Sequence, residues 1–128
     1  MSEKRFQRLQ PEQAGAWLAE RPGALLLDAR DARHHASGHL AGSTLLDGRN
    51  HERLLLREPR SRPVLIYCYH GNASQTWAGM FCDFGFGEVA DVVGGWTALE
   101  RHDHVPPTTP MQSAGRPVLS TADEKDAA

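Results

Sequence analysis

The chain alternates short apolar blocks with longer stretches of mixed polarity, and the alternation predicts its elements in order. Phe6 to Leu9 reads as a short edge strand, and Pro11 to Glu20 as a helix with Pro near its start and Trp17 and Leu18 facing inward. Pro22-Gly23 stops that helix. Ala24-Leu25-Leu26-Leu27-Asp28 is an apolar run ending on a carboxylate, the pattern of a buried parallel strand whose end projects toward a site. Asp31 is placed to cap a short helix through His35. A glycine-punctuated loop, Ser37 to Ser43, then leads to a second short strand around Thr44 to Leu46. Asn50 to Arg57 carries Leu54, Leu55 and Leu56 among charges and predicts a partly exposed helix, closed by the turn residues Pro59 to Pro63. Pro63 to Cys68 is the strongest strand signal. It runs through Tyr69-His70-Gly71-Asn72-Ala73-Ser74 into a helix from Gln75 to Phe84. After Gly85-Phe86-Gly87, Glu88 to Val93 predicts a further strand, and Gly94-Gly95-Trp96 opens a last helix ending near His102.

Strands alternating with helices predict an α/β fold with a central, mostly parallel five-stranded sheet flanked by helices on both faces. A length of 128 residues allows one such domain. It is expected over residues 1–102. Residues 103–128 shift to Pro, Thr, Ser, Ala and charge and are expected to form a mobile tail, since they bury too little surface to offset their ordering entropy.

Charge and composition narrow the function. Fourteen Lys and Arg against sixteen Asp and Glu leave a net charge of -2, with no overall basic field to hold a phosphate backbone, so nucleic acid is not an expected partner. The N-terminus MSEKRFQRLQPEQ lacks the apolar core of a signal peptide, and no stretch reaches the roughly 20 apolar residues of a membrane span. The expected location is the cytoplasm, where the two cysteines stay reduced and each thiol is read on its own.

Cys68 ends the strongest strand and is followed by a tight loop and a helix, a place where amide N–H groups and a helix N-terminus converge and favour an anion. Such a field favours thiolate over thiol. Lowering a cysteine pKa from about 8.5 to about 6.5 raises the thiolate fraction at pH 7 from roughly 3% to roughly 75%. Gly71 lets the loop turn its N–H groups inward, and Ser74 is placed to cap the following helix. The plain alternative is that Cys68 is a small buried residue ending a strand. For Cys82, inside the helix between Phe81 and Phe84, a core role is the expectation and a redox partnership with Cys68 the sharper alternative.

Three motifs resemble the rhodanese sulfurtransferases, and most closely their single-domain thiosulfate sulfurtransferases of the GlpE type. Leu26-Leu27-Asp28-Ala29-Arg30 with Gly38-His39-Leu40-Ala41-Gly42-Ser43 is similar to the family's first signature. Cys68 to Ser74 is similar to its active-site loop, and Val92-Val93-Gly94-Gly95-Trp96 to its closing signature. The resemblance covers about residues 6 to 102 and implies a rhodanese-like fold. It implies further that Cys68 takes the outer sulfur of thiosulfate or another sulfane donor, releases sulfite and carries the sulfur as a persulfide in the amide cradle of Tyr69, His70, Gly71, Asn72, Ala73 and Ser74. Cyanide or a thiol such as that of thioredoxin would accept it, with no metal or organic cofactor. At the sixth loop position, where the family commonly has Ser, Thr or Arg, this chain has Ala73, which leaves backbone amides as the main expected donors.

Asp28, Arg30 and His39 would stand behind the loop, keeping its shape by hydrogen bonding and charge balance; a strand-end salt bridge without catalytic consequence is the equal alternative for the first two. His70 and Asn72 are expected to bind substrate, since a preformed thiolate needs no general base. His102, Asp103 and His104 form at best a weak metal set. Two other functions compete. One is a protein-to-protein persulfide relay. The other is a cysteine phosphatase or arsenate reductase on the same fold, disfavoured because residues 68–76 contain no Arg or Lys to clamp a tetrahedral oxyanion.

Overall fold

A computed structural model describes residues 6–102. The strands are β1 (Gln7–Leu9), β2 (Leu25–Asp28), β3 (Thr44–Leu45), β4 (Val64–Tyr67) and β5 (Val89–Val92). The helices are α1 (Pro11–Ala19), α2 (Ala32–Ser37), α3 (His51–Arg57), α4 (Ala73–Asp83) and α5 (Gly95–His102). All five strands pair in parallel, in the order β1-β5-β4-β2-β3.

Side chains alternate between the two faces of a strand, so β2, β4 and β5 each feed two cores. Leu26, Leu65, Tyr67, Ala90 and Val92 meet Ala14, Trp17 and Leu18 of α1 and Leu99 of α5. Leu25, Leu27, Val64, Ile66 and Val89 meet Leu54 and Leu55 of α3 and Ala78 and Phe81 of α4. Burial on both faces explains why the central strands read as unbroken apolar runs. The helix expected to be partly exposed inserts Leu54 and Leu55 and leaves Leu56 outside, because successive residues on a helix point about 100° apart.

The order of the sheet positions the site. After β2 the chain moves outward to β3, and after β4 it moves the opposite way to β5. The carboxyl ends of β2 and β4 therefore face a topological switch point, where open α/β sheets hold ligands. Asp28 ends one of these strands and Cys68 follows the other. No helix among the described residues is long and apolar enough to cross a membrane. The tail expected at 103–128, with Asp103 and His104, lies outside the described residues.

Candidate active site

Cys68 is buried at the end of β4, and its Sγ accepts two backbone N–H groups, from Gly71 at 3.2 Å and from Ser74 at 3.3 Å. The turn depends on Gly71, whose φ is 88° and where a Cβ would stand 2.7 Å from the Gly94 nitrogen. Ser74 lies in the first turn of α4, so its amide carries the positive end of the helix dipole to the sulfur. Burial pushes the Cys68 thiol up, but bonds from the Ser74 side chain and from the amides of Ser74, Gly71 and His70 outweigh it and hold the thiol below its ordinary value. The Ser74 hydroxyl also donates to Asp91 Oδ2 at 2.8 Å. One hydroxyl proton serves one acceptor at a time, so the amides are the permanent donors.

The second anchor is α5. Trp96 N–H donates to the Cys68 carbonyl at 2.7 Å and Thr97 N–H to the Tyr69 carbonyl at 3.1 Å. Gly95 allows this approach, since a Cβ there would collide with the Cys68 carbonyl. Tyr69 turns its hydroxyl to His34 Nδ1 at 2.8 Å and receives the Asp31 amide at 3.2 Å. His70, exposed, reaches Thr97 Oγ1 at 3.3 Å. Asn72 and Ala73 are exposed at the start of α4.

Ser74 does not cap α4. The helix begins two residues earlier than its sequence pattern suggests, at Ala73, because Asn72 already has right-handed dihedrals (φ -100°, ψ -59°). Ser74 is then inside the first turn, with its hydroxyl donating to the buried Asp91 carboxylate instead of accepting a backbone N–H as a cap would.

Asp28 and Arg30 form a buried fork. Arg30 Nη2 meets Asp28 Oδ2 at 2.8 Å, while its Nε and backbone N reach Oδ1 at 3.0 and 2.9 Å. His35 Nδ1 adds a contact to Oδ2 at 2.7 Å. Arg30 also donates to the Gly38 carbonyl and lies 4.3 Å over the Trp96 ring. These bonds hold the 38–43 loop and the start of α5, and reach the Cys68 loop through Trp96. His39 stacks on His35 at 3.9 Å and bonds its carbonyl, which orders α2 and its exit rather than the sulfur.

Several residues that bond the Cys68 loop carry no motif signal in the sequence, Arg8 and Asp91 foremost. Arg8 of β1 donates through Nη2 to the Gly71 carbonyl at 2.8 Å, and its Nε lies 2.9 Å from Oδ1 of the fully buried Asp91 in β5. The available signal was a charged residue in the middle of an apolar strand, Val89-Ala90-Asp91-Val92. Gln75 Nε2 supports the same Gly71 carbonyl at 2.9 Å.

Fold and site together define a class: a parallel α/β domain that presents a thiol, at a switch point, to the backbone amides of a loop and a helix start. The Rhodanese-like domain family model matches residues 10–102, and the chain belongs to that family. It is 41% identical over 91 residues to the thiosulfate sulfurtransferase GlpE of Pseudomonas entomophila, covering 71% of this chain and 82% of that protein. To the protein of the same name from Stutzerimonas stutzeri it is 36% identical over 99 residues, covering 77% and 88%. Among solved structures, a rhodanese-like domain from Anabaena sp. superposes with a TM-score of 0.67 at 18% identity, covering 99% of each chain. A rhodanese-like domain protein from Staphylococcus aureus does so at 0.64 and 18%, covering 73% of this chain and 91% of that one.

Proposed function

We propose that the protein is a thiosulfate sulfurtransferase acting through Cys68, in a rhodanese domain spanning residues 1–102. The Cys68 thiolate attacks the outer sulfur of thiosulfate; the S–S bond of thiosulfate breaks, sulfite leaves with the bonding pair, and Cys68 holds a persulfide. Cyanide, or a thiolate such as that of thioredoxin in the cytoplasm, then attacks the outer sulfur of the persulfide and regenerates the Cys68 thiolate. The observation that carries this reading is the pair of amide N–H groups on Cys68 Sγ, which stabilise the thiolate that attacks the donor and the thiolate released when the acceptor takes the sulfur. Relatives at about 40% identity that bear the name thiosulfate sulfurtransferase support the choice of donor.

A phosphatase reading is weaker. The arginine closest in role, Arg8, comes from β1 and is occupied by Asp91 and the Gly71 carbonyl instead of facing the thiol as an oxyanion clamp. The test is thiocyanate formation from thiosulfate and cyanide by the wild type and Cys68→Ser. Activity in the wild type, its loss in Cys68→Ser, and a mass gain of about 32 Da on the Cys68 peptide are expected. Undiminished activity of Cys68→Ser overturns the mechanism. Persulfide formed without turnover of thiosulfate points to the relay function.

A further inference from the structure

Gly71 and Ser74 both place amides on the sulfur, at 3.2 and 3.3 Å. The same two are gripped from behind by one ion pair. Arg8 takes the Gly71 carbonyl at 2.8 Å, and Asp91 takes the Ser74 hydroxyl at 2.8 Å. Arg8 and Asp91 are themselves joined twice, at 2.9 and 3.1 Å, and are direct partners in the β1–β5 register. The strand period turns both toward the α4 face, away from the side where Leu9 and Val92 pack. The Asp91 side chain is fully buried and that of Arg8 is 27% exposed.

We propose that Arg8 and Asp91 form a positioning clamp for the sulfur-carrying loop, with Arg8 setting both the orientation of Gly71 and the charge balance behind Cys68. The proposal rests on the reading of Cys68 as the sulfur carrier. Asp91 is linked to the sulfur through a single residue, Ser74, whose hydroxyl meets the carboxylate and whose amide meets Sγ. Without Arg8 the carboxylate stands uncompensated beside a developing thiolate, which disfavours that thiolate. With Asp91 made neutral, the guanidinium stands uncompensated and favours it. The two changes therefore act on Cys68 with opposite sign. A pair serving merely to tie β1 to β5 has no such signature, because losing either partner would weaken the fold and leave the thiol as it was.

The test follows the rate of iodoacetamide alkylation at the Cys68 peptide against pH, in the full chain and in Arg8→Met, Arg8→Lys and Asp91→Asn. Asparagine keeps an acceptor for Ser74 while removing the charge. Arg8→Met is expected to move the midpoint upward by about one pH unit, so that alkylation below it slows about tenfold. Arg8→Lys should recover most of that shift, and Asp91→Asn should move the midpoint downward. In turnover, kcat/KM of Arg8→Met should fall near neutral pH and recover as pH rises. An unmoved midpoint in Arg8→Met, or shifts of the same sign in Arg8→Met and Asp91→Asn, overturns the clamp. If Arg8→Met does not fold, Asp91→Asn decides alone: a downward shift supports the clamp, and an unmoved or raised midpoint overturns it. If the wild type does not turn over thiosulfate and the variants still show these shifts, the assigned reaction is refuted and the clamp stands.

Discussion

The Leu40 amide donates to the Tyr67 hydroxyl at 3.0 Å across a separation of 27 residues. This bond ties the strand that leads into Cys68 to the loop after α2, and Ser43 Oγ adds a second contact to the same hydroxyl at 3.1 Å. Burial pushes the Tyr67 phenol far up, which keeps the hydroxyl protonated near neutral pH.

Tyr67→Phe keeps the ring and deletes the acceptor, leaving the Leu40 N–H buried without its partner. The expected cost is about 1–3 kcal/mol, read as a lower urea midpoint. The alkylation rate of Cys68 should stay close to wild type, because the amides on the sulfur come from Gly71 and Ser74, whereas the Tyr67 hydroxyl bonds Leu40 and Ser43.

The Asp28–Arg30 fork makes stability depend on pH in a definite direction. Burial raises the Asp28 carboxyl, but bonds from His35 and Arg30 outweigh it, so the folded value lies below the ordinary 3.8. A carboxyl depressed in the folded state contributes stability above its unfolded pKa and loses it as pH falls through the folded one. Thermal unfolding of the wild type should therefore drop on acidification below about pH 4. Asp28→Asn should flatten that part of the profile and cost about 3–5 kcal/mol at neutral pH, since it strands a buried guanidinium.

Two glycines should respond in opposite ways to alanine. Gly79 lies inside α4 with open space where a Cβ would go, so Gly79→Ala should stabilise by about 0.5–1 kcal/mol and raise Tm by a few degrees. Gly95 has φ 58°, and a Cβ there would lie 2.7 Å from the backbone carbonyl of Tyr69. Gly95→Ala should lower Tm and displace α5 from the Cys68 and Tyr69 carbonyls, with thiocyanate formation falling in parallel.

Cys82 sits on α4 and packs against the core formed with α3. Cys82→Ala is expected to cost about 1 kcal/mol, on the scale of a small core deletion, and to leave thiocyanate formation unchanged. A loss of turnover comparable to that of Cys68→Ser would make the second thiol a participant.

The central strands were legible because each is buried on both faces, and the apolar runs at 24–28 and 63–68 mark them directly. The place of Cys68 was legible for a related reason: the strongest apolar run leads into it, and a turn and a helix follow. The start of α4 is not legible to the residue, because Gly71 and Asn72 are turn formers that blur the boundary.

What the chain determines locally is the order of elements, the apolar faces and the position of Cys68 in its loop. Tertiary structure alone decides which residues stand behind that loop. The Arg8–Asp91 pair spans 83 residues and exists because β1 lies beside β5, in a register that places the two opposite each other. Local propensity carries no information about such a pairing; it follows from closure of the sheet and from the need of a buried carboxylate for a counter-charge and hydrogen-bond donors. The same closure keeps Arg30, gripped by Asp28, on Gly38 and Trp96, and brings Arg8 of β1 and Asp91 of β5 to Gly71 and Ser74 of the Cys68 loop.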